Sequence, residues 1–145
     1  MSLFSSIDVS ATGMSAQRQR AEILAENLAN ADTTRTADGG PYRRKDVVFQ
    51  TTDVTPSFSS MIASQMSPGG TGVRVAQITT DTREPEKRYM PGHPDADKDG
   101  YVAVPKMNPT EDMVDLMGAS RGYQANVAAV SAIKDMIQRS IDLFK

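Results

Sequence analysis

Residues 108–144, the last third of the chain, carry a helical pattern that limits the fold more than any other feature of the sequence. Alternate steps of three and four residues from residue 113 give ten positions. Eight of them are apolar, whereas the composition would give about four. This set, the bulky stripe, comprises Met113, Leu116, Ser120, Tyr123, Val127, Val130, Lys134, Ile137, Ile141 and Phe144. Asn108 is suited to N-cap such a helix and Pro109 to its first turn, where no N–H donor is needed. The pattern predicts one long helix.

The length of this helix requires a partner. About 36 residues with a rise of 1.5 Å each give a rod of about 54 Å. A compact globule of this chain length has a diameter of only about 38 Å. We therefore expect the helix to pack along a second helix and not to be enclosed by its own domain.

A second set of positions, the small stripe, follows the same rhythm on nearly the opposite face of the helix. Its members are Gly118, Gly122, Ala125, Ala129 and Ala132. Small residues in register let another backbone approach closely. Each internal glycine costs about 1 kcal/mol relative to alanine, which a close contact would offset. The two stripes predict burial on two sides, with the second side covered by another subunit. The alternative is that the glycines only mark a kink.

The rest of the chain divides into a helix and an insert. The N-terminal segment, 4–31, has a three-four spacing that is rich in alanine, at Phe4, Ile7, Ala11, Met14, Arg18, Ala21, Ala25 and Leu28. All eight prolines lie between Pro41 and Pro109. In the middle, β-branched runs at 46–50 and 72–78 predict strands, and a Ser-, Met- and Gly-rich stretch at 57–72 predicts a mobile loop. We therefore expect an elongated, mainly α fold. Its N- and C-terminal helices pair as a coiled coil around a small β-rich, irregular middle insert, with segments 1–33, 34–107 and 108–145.

Composition excludes several functions. The net charge of −2 argues against a nucleic-acid partner, which requires a strongly basic face. The chain contains no cysteine, so disulfides, thiol catalysis and zinc–cysteine sites are absent. No run of residues is long and apolar enough for a membrane span, and the first residues lack the pattern of a cleavable signal peptide.

Three short motifs could carry chemistry, and each has a simpler interpretation. Residues 95–100 (DADKDG) begin like a calcium loop, but Lys106 occupies the position of the bidentate glutamate, so we expect an acidic turn that leads into a strand at 101–104. His93 has too few partners nearby for catalysis. The basic run 42–45 (YRRK) reads as a solvated face, with a contact to an acidic neighbour as the alternative. We expect no catalytic residue, cofactor or metal.

Several segments together resemble a known family. Residues 13–18 (GMSAQR), 25–30 (AENLAN) and 33–34 (TT) resemble the N-terminal signature of flagellar rod, hook and filament axial proteins. Residues 39–45 (GGPYRRK), 92–97 (GHPDAD), 100–102 (GYV) and 119–127 (ASRGYQANV) narrow the resemblance to proteins of the proximal rod of the flagellar basal body. The similarity runs over nearly the whole chain.

The resemblance implies a structural role. It implies a subunit of the periplasmic rod that is exported by the flagellar type III apparatus without signal cleavage, and whose terminal helices form the inner layers of a hollow tube. Its partners would be other copies of the chain and neighbouring rod proteins. We expect the assembly interface to include Ala25, Leu28, Asn30, Gly118, Gly122, Tyr123, Ala125, Asn126, Val127, Ala129, Val130, Ile137 and Ile141. The alternative is a closed homo-oligomeric coiled-coil adaptor or secreted effector.

Overall fold

The structure of the protein, a computed structural model, describes residues 3–53 and 71–143. The described chain has one long helix near each end and four strands between them. Their order is α1 (Leu3–Ala29), β1 (Lys45–Asp53), β2 (Thr71–Thr80), β3 (Glu86–Tyr89), β4 (Tyr101–Val104) and α2 (Pro109–Asp142). Both predicted helices are confirmed, as is the mainly helical fold with a β-containing insert. Neither helix contains a stretch that combines the length and the apolarity of a membrane span.

Local sequence signals explain where these elements begin. The Asn108 side chain accepts a hydrogen bond from Thr110 N at 3.1 Å, and Pro109 opens α2, as predicted. The predicted strands at 46–50, 72–78 and 101–104 correspond to β1, β2 and β4, whereas β3 was not predicted. Most of the predicted loop at 57–72 lies outside the described residues, and its last two residues belong to β2.

The two helices pack side by side in opposite directions. Contacts that run down α1 from Gly13 to Arg20 meet residues that run up α2, since Gly13 faces Asn126, Gln17 faces Gly122 and Arg20 contacts Asp115. At 1.5 Å per residue, the 27 residues of α1 extend for about 40 Å and the 34 residues of α2 for about 51 Å. The two helices form the long axis of the molecule.

Two β-ribbons make up the insert. β1 and β2 are antiparallel from Lys45↔Thr80 to Asp53↔Thr71, with a bulge where the register shifts between Val48 and Phe49. β3 and β4 form a shorter antiparallel ribbon. The first ribbon packs on α1, where Val73 N donates a hydrogen bond to Thr12 Oγ1 at 3.2 Å. α1 therefore lies between α2 and the β1–β2 ribbon. Of the described helices and strands, only α1 contacts α2.

The face that each helix turns to the other differs from the predicted stripe by one residue. On α1 the residues that contact α2 directly include Gly13, Gln17 and Arg20, each one place before a predicted position. On α2 they include Asp115, Gly122 and Asn126, again each one place before a predicted position. The predicted phase is wrong for contacts within the chain, because small and polar residues, and not the bulky apolar ones, form this seam.

Candidate assembly interface

The bulky stripe lies largely on the outside of the helix pair. Among large apolar side chains of α2, seven are between 41% and 63% exposed, namely Met113, Val114, Met117, Tyr123, Val127, Met136 and Ile141. The opposite side is closed, with Ala119 at 1% and Ile133 at 8% exposed. These side chains spread over more than half of the circumference of α2, and so many exposed apolar side chains on one helix are typical of a surface that neighbouring helices cover. We call these seven residues the outer face of α2.

The predicted interface residues divide into two groups by exposure. Those that are exposed are Ala25, Gly118, Tyr123, Ala125, Val127 and Ile141. Those that are half-buried are Leu28, Asn30, Gly122, Asn126, Ala129, Val130 and Ile137. The role of both groups in contacts between chains stays a prediction. The expectation missed Val114, Met117 and Met136, which lie outside the three-four rhythm that defined the bulky stripe.

The two glycines of the small stripe differ in their surroundings. A Cβ on Gly118 would have no atom of the described residues within 4 Å, whereas a Cβ on Gly122 would lie 3.1 Å from Gln17 Cδ. Gly122 therefore packs inside the chain. A large side chain at Gly122 would disturb the single chain as well as any assembly.

Asn27 joins the end of α1 to the start of β1. Its side chain is fully buried, and its amide Nδ2 donates to Lys45 O at 2.8 Å while Oδ1 accepts from Lys45 N at 2.9 Å. Oδ1 also accepts from the Tyr42 hydroxyl at 2.9 Å. Burial, together with the nearby Glu26 carboxylate, raises the pKa of Tyr42 to about 12. One amide thus satisfies three polar groups and fixes the insert against the helix.

The basic run 42–45 contacts acidic neighbours, so its interpretation as a solvated face is wrong. Arg44 donates from Nε and Nη2 to Asp112 Oδ1 at 2.9 and 2.7 Å, and from Nη1 to Asp46 at 2.6 Å. The hydrogen bond to Asp112 raises the pKa of Arg44 above its ordinary value. Lys45 forms an ion pair with Glu26. These contacts connect the insert to the first turn of α2 and the last turn of α1.

The carboxylates of the calcium-like motif are engaged within the protein. Asp95 accepts from Thr34 Oγ1 at 2.8 Å and lies 3.5 Å from Arg35 Nε. Asp97 Oδ1 accepts from Asp99 N and from Tyr101 N at 2.8 Å, which directs the chain into β4. No group of three or more possible metal ligands occurs within residues 3–53 and 71–143. The acidic turn that precedes the strand is therefore as predicted.

Comparison with known proteins identifies the class. Residues 7–35 match a family described as flagella basal body rod protein, and residues 98–143 match the flagellar basal body rod FlgEFG protein C-terminal family. These matches cover most of α1 and all of α2. The chain is a flagellar basal-body rod protein, a structural component of the motility apparatus.

Full-length relatives define the member of this class. A flagellar basal-body rod protein FlgC of Bacillus subtilis (strain 168) is 42% identical over 100% of both chains. The FlgC of Borreliella burgdorferi is 41% identical over 100% of this chain and 99% of the relative, and that of Salmonella typhimurium is 38% identical over 99% and 98%. The chain belongs to the FlgC family.

Proposed function

We propose that this chain is a subunit of the proximal rod and polymerises through its terminal helices into a hollow, torque-transmitting shaft. The observation that carries the proposal is the outer face of α2. Seven large apolar side chains stay half-exposed there because the chain has no further helix or strand, among those described, to cover them. A second subunit would remove this area from water, at about 25 cal/mol for each Å² buried.

The geometry of the helix pair suits a tube. α1 is covered on one side by α2 and on another by the β1–β2 ribbon, so α2 is the helix left to meet neighbours. Contacts between two different surfaces, repeated without closing into a ring, generate a helical filament. We infer that the terminal helices pair with those of neighbouring subunits as coiled coils in the inner layers, with the insert outside.

The remaining parts of the proposal rest on the family. We infer that the partners are other copies of this chain and neighbouring rod proteins, and that the flagellar export apparatus delivers the chain to the periplasmic part of the basal body without signal cleavage. We also infer a structural and not a catalytic role. A closed oligomeric adaptor is disfavoured by the family and would differ in having a fixed mass in solution.

A charge on the outer face tests this proposal. Val127→Glu places a carboxylate at the 45% exposed centre of that face, where it would remain unpaired when covered. Thr82→Glu adds the same charge at an exposed position of the insert and serves as the control. In cells that lack the native protein, we expect Val127→Glu to abolish swimming and to leave the variant absent from purified basal bodies, while Thr82→Glu swims.

Circular dichroism of both purified variants separates assembly from folding. Because Val127 does not lie in the seam with α1, we expect both variants to keep the helix content of the parent chain. If Val127→Glu cells swim normally and the variant is incorporated, the outer face is not an interface and the proposal fails.

A further inference from the structure

We propose that two glycine–amide pairs, Gly13 with Asn126 and Gln17 with Gly122, fix the register of α1 against α2. We call these four residues the register lock. The inference concerns contacts within one chain, so it does not depend on how the chain assembles.

The four residues form a reciprocal arrangement. On each helix a glycine precedes an amide by four residues, which places both on one face. Because the helices run in opposite directions, each amide side chain lies over the glycine of the other helix. A Cβ on Gly13 would lie 2.9 Å from Asn126 Oδ1 and 3.1 Å from its Cγ, and a Cβ on Gly122 would lie 3.1 Å from Gln17 Cδ.

The side-chain amides of Asn126 and Gln17 are held in place, so they cannot move aside to allow another register of the two helices. Asn126 Nδ2 donates to Gly122 O of its own helix at 2.9 Å, which keeps the side chain along the seam. Gln17 Oε1 is buried without a hydrogen-bond partner in the described part of the chain. Such a group is tolerated only where the surrounding packing determines its position, and polar groups in a helix seam are known to specify register.

A slip of one helical turn disrupts this packing in either direction. One direction brings Asn126 against Gln17, so that two amides compete for the space of one, which overpacks the seam. The other direction brings Gly13 against Gly122 and leaves a void. The first slip, of about 5.4 Å, would also move Arg20 away from Asp115, which it now approaches to 3.4 Å, whereas the second slip would bring the two residues level. The lock therefore selects one register from several that the alanine-rich helices would otherwise allow.

A double-mutant cycle tests the steric part. Alanine is the better helix former, so Gly→Ala in open space raises the ratio of folded to unfolded chain by about fivefold. We expect this gain for Gly118→Ala, the matched control, in every background. We expect Gly13→Ala to lower the ratio by about tenfold in the native sequence, because of the contact with Asn126, and to raise it in the Asn126→Ala background. Urea titration of the full chain measures both.

A distance measurement tests the register itself. The chain has no cysteine, so spin labels on Arg18→Cys and Gln124→Cys, both at exposed positions on the two helices, report one interhelix distance by pulsed electron paramagnetic resonance. We expect one narrow distance for the native seam. Gln17→Ala with Asn126→Ala should add a second population displaced by about 5 or 10 Å, one or two turns.

Either measurement can overturn the proposal. It fails if Gly13→Ala stabilises the native sequence as Gly118→Ala does, because Gly13 would then not be needed to make room for the Asn126 side chain. It also fails if the native seam gives a broad distance distribution, or if the variant without both amides keeps the single narrow distance. The cycle remains decisive even if the doubly substituted chain does not fold.

Discussion

Replacement of Asn27 by alanine should destabilise the chain more than any other single polar substitution in α1. Asn27 is fully buried, and its amide holds three hydrogen bonds of 2.8–2.9 Å, two with the backbone of Lys45 and one with Tyr42. Alanine leaves those partners without the amide in a place that water does not reach. With a net value of about 1 kcal/mol for each bond, Asn27→Ala should cost about 3 kcal/mol in the free energy of unfolding.

Asn30 provides the control for this prediction. It lies three residues further along and is half-buried, and its amide donates to Glu26 O at 2.9 Å and accepts from Thr33 Oγ1 at 3.2 Å. Because both bonds are local and less buried, Asn30→Ala should cost less than Asn27→Ala, at most about 2 kcal/mol. Urea unfolding followed by circular dichroism at 222 nm compares the two variants, and hydrogen exchange of the Lys45 amide reports the lost bond directly. Equal costs for Asn27→Ala and Asn30→Ala would refute the reasoning.

Asn27→Asp separates the roles of the amide donor and acceptor. The carboxylate can still accept from Lys45 N and Tyr42, but its second oxygen faces Lys45 O and cannot donate while ionised. Burial beside a carbonyl raises the pKa of the new carboxyl in the folded chain. Stability that depends on its proton is complete below the unfolded pKa of about 3.9 and is lost as the pH rises through the folded value. We expect Asn27→Asp to differ less from the native chain at pH 4 than at pH 7.

Two further predictions concern the groups next to Asn27. One of the four tyrosines should ionise with a pKa of about 12, and this step should be missing from the ultraviolet titration of Tyr42→Phe. Because the folded pKa of Tyr42 lies above the ordinary 10.0, the stability due to Tyr42 is lost between about pH 10 and 12. The burial argument is wrong if the step that Tyr42→Phe removes lies near pH 10 instead. Asp112→Ala should cost about 2–3 kcal/mol, because it removes the 1% exposed carboxylate that accepts two hydrogen bonds from Arg44, although Arg44 keeps Asp46. Asp46→Ala, at a 53% exposed partner, should cost less than about 1 kcal/mol. Equal melting temperatures for the two variants would show that burial does not decide the strength of these pairs.

Local signals made most of the fold predictable. The N-cap at Asn108, the proline at the first position of α2 and the β-branched runs act within a few residues, so a single sequence reveals them. β3 was missed because its four residues, Glu86–Tyr89, have no alternation of apolar and polar side chains and are all exposed. β3 forms a strand because it pairs with β4, from Glu86↔Val104 to Tyr89↔Tyr101, and such pairing is not visible in the four residues themselves.

The contacts that fasten the insert were beyond prediction from local patterns. Arg44 is 68 residues from Asp112, and Asn27 is 18 residues from Lys45, so no periodicity relates the partners. One signal for the helix seam was available. Gly13, Gln17 and Arg20 keep the three-four rhythm one place before the predicted stripe, but a search for apolar residues passes over them.

The phase of the seam explains why folding and assembly use different residues. Inside the chain the helices contact each other through glycines and polar side chains, which allow close approach but bury little apolar area. The large apolar residues of α2 remain on the outer face, where seven of them are 41–63% exposed. Complete burial of such a side chain contributes about 1.5–3 kcal/mol, so covering the exposed half of each would add about 1 kcal/mol, or about 7 kcal/mol for each subunit. That is as large as the stability of a typical folded domain, about 5–15 kcal/mol. A neighbouring subunit on the outer face would therefore stabilise α2 about as much as the chain's own fold does.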